Sequence, residues 1–196
     1  MWDQRYGGED FAYGTEPNDF LRDHADRIPE GPVLCLAEGE GRNAVFLAAR
    51  GHPVLAVDQS PVGLAKARRL AEDREVSIDT EVADLAEWNF PVEAFAGVVS
   101  IFGHLPPPVR RRVHAAAVRA LRPGGVLLLE AYAPGQVGRG TGGPPVVEMT
   151  MSLDDLREEL AGLEFERAEE LERSVLEGRY HTGEASVVQI IGRKPA

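Results

Sequence analysis

Two glycines and a carboxylate carry the clearest chemistry in this sequence. The run Val33-Leu34-Cys35-Leu36-Ala37-Glu38-Gly39-Glu40-Gly41-Arg42-Asn43 opens as a short apolar stretch. It turns through Gly39 and Gly41 and enters a helical pattern, Arg42 to Arg50, closed by Gly51. That is a strand, a tight turn and a helix. A Cβ in such a turn would block positive φ or hold the backbone away from a ligand. A second apolar strand, Pro53 to Val57, ends in Asp58. Its carboxylate is expected beside the glycine turn, at the carboxyl edge of the neighbouring strand, where it can accept both hydroxyls of a ribose. The pair suits a cofactor that contains a nucleoside.

The elements that must position this pair follow in order. Ser60-Pro61 opens a helix reaching about Glu72, serine as N-cap and proline at the first helical position. Val76 to Ala83 alternates and predicts a third strand ending at Asp84-Leu85. Trp88 to Pro91 is a connector. Ala94 to Phe102 predicts a fourth strand, left through Gly103-His104-Leu105, and Pro106 to Pro108 start a helix reaching Leu121. Arg122-Pro123-Gly124-Gly125 is a sharp turn. Val126 to Tyr132 is apolar but for one glutamate, which suits a strand buried on both faces. Residues 133 to 147 are rich in Gly and Pro and read as a loop. Ser152-Leu153-Asp154-Asp155 resembles a capping box for a helix ending near Gly162. Phe165 to Leu176 and Ala185 to Arg193 predict two last strands, joined by Glu177 to Gly183.

Alternating strand and helix implies a doubly wound α/β fold. The expected sheet has seven mostly parallel strands in a three-layer α/β/α arrangement, with a C-terminal antiparallel hairpin. Residues 31–196 form one domain. Residues 1–30 hold Trp2, Tyr6, Phe11, Tyr13 and Phe20, too aromatic for a disordered tail, and are expected to fold over the cofactor as a lid or pack against the sheet.

Composition sets the outer bounds. The 196 residues suit one domain with a real core. No apolar run approaches the roughly 20 residues of a membrane span, and the polar amino terminus lacks a signal-peptide core. A single cysteine, Cys35, excludes an internal disulfide and points to the cytoplasm; within the first strand it reads as a small core residue. The net charge of −11 repels phosphate backbones, which argues against a nucleic-acid partner. The one basic cluster, Arg110-Arg111-Arg112 with Arg119 and Arg122, is expected on a solvated helix face. His24, His52 and His114 have no companion ligands, so no metal is expected.

With these elements laid out, the chain resembles the class I S-adenosylmethionine-dependent methyltransferases, whose fold is Rossmann-like. The resemblance rests on Glu38-Gly39-Glu40-Gly41, on Asp58, on Asp84-Leu85, and on Leu121-Arg122-Pro123-Gly124-Gly125 before the fifth strand. More narrowly, Ala37 to Asn43, Ser100 to Leu105, Trp2 to Tyr6 and Tyr13 to Asn18 are similar to the tellurite-resistance and thiopurine methyltransferase-like branch. The general pattern has glycine at Ala37 and an acid at Cys35; alanine is small enough to keep the turn.

The resemblance implies a set of cofactor contacts. Gly39 and Gly41, with Glu38, Glu40 and Asn43 around them, would lie along the methionine moiety. Asp58, followed by Gln59 and Ser60, would hold the ribose. Ala83, Asp84 and Leu85 would hold the adenine, and Ser100, Ile101 and Phe102 would line the cofactor. Arg5 would pair with its carboxylate, and Tyr6 or Trp2 would close over the sulfonium. The implied product is S-adenosylhomocysteine, and the acceptor a small molecule of unstated identity.

Three residues are candidates for catalysis. His104 leaves the fourth strand where ligands bind and reads as a general base, or as a hydrogen-bonded histidine in a turn. Tyr132 ends the fifth strand. His181, beside Tyr180, lies on the last hairpin and would likewise serve as a base if one is needed, or sits in an exposed turn. Two other readings stand beside methyl transfer. Gly39-x-Gly41-x-x-Ala44 also fits a dinucleotide fingerprint. A non-catalytic cofactor-binding protein, a sensor or partner subunit, would share every feature above.

Overall fold

The computed structural model describes residues 2–196. Helices α1 (Trp2–Tyr6) and α2 (Asp19–His24) precede the sheet. Strand β1 (Val33–Leu36), helix α3 (Arg42–Ala49), strand β2 (Val54–Asp58), helix α4 (Pro61–Asp73) and strand β3 (Asp79–Val82) form the first half. Strand β4 (Phe95–Ile101), helix α5 (Pro107–Ala120), strand β5 (Leu121–Tyr132), helix α6 (Leu153–Glu159) and strands β6 (Glu164–Glu177) and β7 (His181–Arg193) complete it.

The sheet has seven strands in the order β3-β2-β1-β4-β5-β7-β6. Strands β1 to β5 are parallel, while β7 runs antiparallel to both β5 and β6. This is the expected mostly parallel sheet with a closing hairpin. Strand order reverses between β1 and β4, so their carboxyl ends flank a crevice where ligands bind in this class of sheet.

Alternation along each strand feeds a core on each face. Leu34 and Leu36 join Val57, Leu127 and Leu129 under α5 and α6. Val33 and Cys35 join Ala56, Leu128 and Leu64 under α2, α3 and α4. Cys35 is fully buried and free. Among the described residues no helix is long and apolar enough to cross a membrane.

Several boundaries differ from the sequence reading. Strand β3 is shorter than Val76 to Ala83, because Val76 and Ile78 pack against Val45, Leu70 and Ala71 instead of pairing. Strand β5 begins at Leu121, which pairs with Phe95 across an irregularity that absorbs the Pro-Gly-Gly turn. The last hairpin is tighter: pairing continues to Glu177 opposite His181, leaving residues 178–180 as the turn. The expected solvated arginine face is corrected at Arg110. That residue is buried, and Glu159 grips its Nε and Nη2 while Nη1 donates to the Thr150 carbonyl at 2.7 Å.

Candidate cofactor and acceptor site

The turn after β1 is built from left-handed backbone. Ala37, Gly39 and Gly41 have φ of 50°, 63° and 89°. Gly41 is glycine for packing as well: a Cβ there would stand 2.5 Å from the Ala67 Cβ, so α3 and α4 could not meet. The N-terminus of α3 lacks a side-chain cap at Gly41. Glu38 supplies the carboxylate instead, accepting from the Asn43 and Ala44 N–H groups at 3.0 and 2.8 Å. Burial pushes the Glu38 carboxyl up to about 7, against the pull of those N–H groups and of Arg42.

Asp58 ends β2 beside this turn. Its two oxygens accept the Gly39 and Ser60 N–H groups at 2.9 and 2.8 Å. A carboxylate offers about four lone pairs, so two remain for hydroxyl donors. Burial raises its pKa, and the backbone N–H groups oppose the rise. Asp84 leaves the adjacent strand at the same edge, because Asp58 is in register with Val82. It is exposed, and one oxygen accepts the Ala86 N–H at 2.9 Å. Ala83 donates to the Asp58 carbonyl at 3.0 Å, and Leu85 is buried behind it. Gln59 is exposed, while Ser60 caps α4 through the Gly63 N–H at 3.0 Å. Ser100 and Ile101 are buried at the end of β4, and Phe102 follows with a left-handed φ of 52°.

Helix α1 lies across this edge. The Tyr6 ring is buried and rests on the glycine turn; a Cβ on Gly39 would come 2.6 Å from its hydroxyl, and one on Gly63 3.0 Å from its ring. Burial and then the Asp58 charge push the Tyr6 phenol pKa up. Trp2 stacks on Tyr6 at 5.8 Å, and Asp3 accepts from the Ser60 hydroxyl. Arg5 is directed elsewhere. Its guanidinium stacks on Tyr180 at 4.6 Å and donates to the Tyr13 hydroxyl at 2.9 Å.

Two residues in and after the glycine turn hold the amino-terminal segment. Glu40 accepts from the Ala12 and Tyr13 N–H groups at 2.7 and 3.4 Å and from Lys66 at 2.9 Å. Asn43 accepts from the Asn18 N–H at 3.0 Å.

Beyond Phe102 the rim is aromatic. Phe102 stacks on Tyr132 at 4.6 Å, and His104 stacks on Tyr132 at 5.6 Å and on Phe102 at 6.5 Å. His181 meets Phe102 at 4.7 Å, Tyr132 at 5.3 Å and Tyr13 at 4.6 Å. So the structure brings His104, Tyr132 and His181 together. They differ in what is free. Both ring nitrogens of His104 are engaged, Nδ1 with the Met149 carbonyl at 2.8 Å and Nε2 with the Tyr132 N–H at 3.3 Å. Burial lowers its pKa to about 4, so it stays neutral. That leaves the turn-histidine reading with the better geometry.

Sequence reasoning missed a buried polar node behind this rim. Glu130, fully buried in β5, accepts from Asn18 at 2.6 Å, Arg173 at 2.8 and 2.6 Å, and Gln189 at 2.6 Å. Glu177 accepts from Asn18 at 2.8 Å, Arg42 at 2.5 Å and Arg173 at 3.2 Å. The lone glutamate of an otherwise apolar strand is the signal that could have found it, since a buried charge needs partners. Among the described residues no cluster could hold a metal ion.

Residues 33–125 match the sequence model of a methyltransferase domain. Over 97 residues the chain is 29% identical to the 2-heptyl-1-hydroxyquinolin-4(1H)-one methyltransferase of Mycobacteroides abscessus, covering 48% of this chain and 43% of that protein. Over 104 residues it is 35% identical to the demethylmenaquinone methyltransferase of Thermus thermophilus, covering 52% and 47%. These matches span less than half the length of either relative. Among solved structures, one described under "Conversion of a Disulfide Bond into a Thioacetal Group during Echinomycin Biosynthesis" superposes with a TM-score of 0.77 and 23% identity, covering 97% of this chain and 86% of that one. TehB from Haemophilus influenzae superposes with a TM-score of 0.73 and 19% identity, covering 98% and 65%. The fold is therefore that of the Rossmann-like class I methyltransferases.

Proposed function

We propose that the chain transfers a methyl group from S-adenosylmethionine to a small acceptor. The observation that carries this reading is Asp58. It is held by two backbone N–H groups beside a turn whose Gly39 has no Cβ, and it keeps two lone pairs for a ribose. The residues fit the cofactor: Gly39 and Gly41 along its amino-acid part, Asp58 on its ribose, and Asp84 with the Leu85 N–H on its base. Tyr6 now touches Gly39, so admitting the cofactor requires α1 to shift, and residues 1–30 serve as the lid (residue 1 lies outside the described residues). When bound, the cofactor supplies an electrophilic methyl on sulfonium. The protein aligns the acceptor with that methyl and excludes water.

The rim of Phe102, Tyr13 and His181, packed on the fully buried Tyr132, suits a flat acceptor. Two curated relatives are named for a hydroxyquinolone and a demethylmenaquinone, which supports a ring-bearing substrate. The likeness to TehB supports the tellurite-resistance branch. The acidic surface, with its net charge of −11, disfavours nucleic acid, and a cytoplasmic enzyme is the setting we infer. The test is calorimetric titration with S-adenosylhomocysteine and, separately, NAD. Binding of the first alone is expected; binding of NAD alone would overturn the reading. A protein that binds S-adenosylhomocysteine yet methylates no thiol, amine, phenol or oxyanion would instead be a non-catalytic binder.

A further inference from the structure

The tight hairpin brings a histidine and a carboxylate together for a structural reason. Glu177 and His181 are the last paired residues before the three-residue turn, so their side chains share one face of the sheet. The Glu177 Oε2 lies 3.9 Å from the His181 Nδ1. Glu177 cannot swing away, because Arg42, Asn18 and Arg173 each donate to it. Burial would raise its pKa, but His181, Arg42 and Arg173 outweigh burial and bring it down to about 2. It is an anion at any physiological pH. At 3.9 Å the two make no hydrogen bond, but the Glu177 charge favours the tautomer with its proton on Nδ1, which would leave Nε2 as the basic atom of His181.

Three buried polar atoms in this neighbourhood have no hydrogen-bond partner: the His181 Nδ1, the Arg42 Nη1 and the Tyr132 hydroxyl. His181 and Arg42 both approach the same Glu177 oxygen, and the Tyr132 ring is 5.3 Å from that of His181. A fold that satisfies Glu130, Glu177 and Asn18 so fully does not leave three neighbours unpaired without cost. The same rings connect the spot to the cofactor edge. Tyr13 touches His181, and Tyr6, which rests on Gly39, meets Tyr13 at 6.3 Å.

We propose that His181 is the general base of the reaction, with Glu177 as its positioning residue and Arg42 holding Glu177. The acceptor is then a flat ring bearing a weakly acidic hydroxyl. This rests on the methyl-transfer reading above. The acceptor O–H bond breaks and its proton passes to the His181 Nε2. The oxygen forms the new bond to the methyl carbon as the C–S bond breaks and its electron pair stays on sulfur. Products are the methyl ether, S-adenosylhomocysteine and a proton, later released from His181. Burial lowers the His181 pKa and Glu177 from β6 opposes that, while Arg42 from α3 and Arg5 from α1 add to the lowering; Tyr13 from the amino-terminal segment, Tyr132 from β5 and His104 after β4 also face the ring.

The experiment compares wild type with His181→Gln over ring-substituted phenols, from 4-nitrophenol to 4-methoxyphenol, using labelled S-adenosylmethionine near neutral pH. General-base catalysis is worth about 100-fold or more, so the variant should lose that factor on 4-methoxyphenol. On 4-nitrophenol, whose hydroxyl is about half ionised at neutral pH without any base, the loss should be slight. An equal loss across the series would make His181 structural and overturn the proposal. A wild type that binds S-adenosylhomocysteine but methylates no phenol would overturn the acceptor class. Failure to bind S-adenosylhomocysteine would instead sink the methyl-transfer reading itself, and calorimetry on both proteins detects it. A readout independent of turnover is the NMR titration of the His181 ring. Its pKa should fall in Glu177→Gln, and no change would refute the pairing. If Glu177→Gln does not fold, Glu177→Asp makes the same test, because the shorter carboxylate draws back from Nδ1 and the His181 pKa should again fall.

Discussion

Replacing Asp58 by asparagine should separate binding from folding. The carboxylate accepts one N–H on each oxygen and keeps a lone pair on each for a ribose hydroxyl. Asparagine retains one oxygen and puts an amide NH2 where the other stood. A hydrogen bond to a charged group is worth about 1.5–3 kcal/mol. At about 1.4 kcal/mol per factor of ten, losing one should weaken S-adenosylhomocysteine binding by roughly 10- to 150-fold. Stability should barely change, because two effects oppose. One backbone N–H, of Gly39 or Ser60, loses its acceptor, while a carboxylate disfavoured by burial is removed. The net should lie within about 1 kcal/mol of wild type. Calorimetric titration gives the affinity and urea melts give the stability. A folded Asp58→Asn protein that binds S-adenosylhomocysteine as tightly as wild type would refute the assignment of Asp58 to the ribose.

Three further predictions concern the frame around that site. The Glu38 carboxyl titrates near 4.5 when unfolded and about 7 when folded, so its contribution to stability is complete below 4.5 and is lost as pH rises through about 7. Glu38→Gln cannot ionise and should therefore gain on wild type in melts between about pH 5 and pH 8; parallel curves would contradict the shift. His104→Ala strips partners from the Met149 carbonyl and the Tyr132 N–H and should cost about 2–4 kcal/mol in urea, whereas a residue reserved for catalysis would melt like wild type. Gly41→Ala should cost roughly 2–5 kcal/mol, adding a clash with Ala67 to the left-handed penalty. Gly51→Ala, also left-handed but facing open space, isolates the backbone penalty, so equal melts for the two would contradict the packing role of Gly41.

Local pattern made most of the frame legible. The apolar runs at Val33 and Val54, the Ser60-Pro61 cap and the turn through Gly39 and Gly41 are events of a few consecutive residues, and the structure keeps them. What the sequence hid is what distant residues decide. Val76 and Ile78 alternate like strand residues but fill a gap beside α3 and α4. Glu40 and Asn43 read as cofactor neighbours, yet each holds an amide 25 to 28 residues upstream. Arg42 finds Glu177 across 135 residues of chain, and no spacing rule reveals that partner. His104 and His181 look equivalent as letters. Only the partners of their ring nitrogens set them apart.

The place of β7 has a consequence for how the sheet is assembled. It lies between β5 and β6, so β6, synthesised earlier, has nothing to join until β7 is in place. During that interval β5 presents Val126 to Tyr132 as an unguarded apolar margin, of the kind that recruits other chains. The same hairpin holds Glu177, Arg173, His181 and Gln189. Docking of this one hairpin therefore both covers the β5 edge and completes the buried polar node.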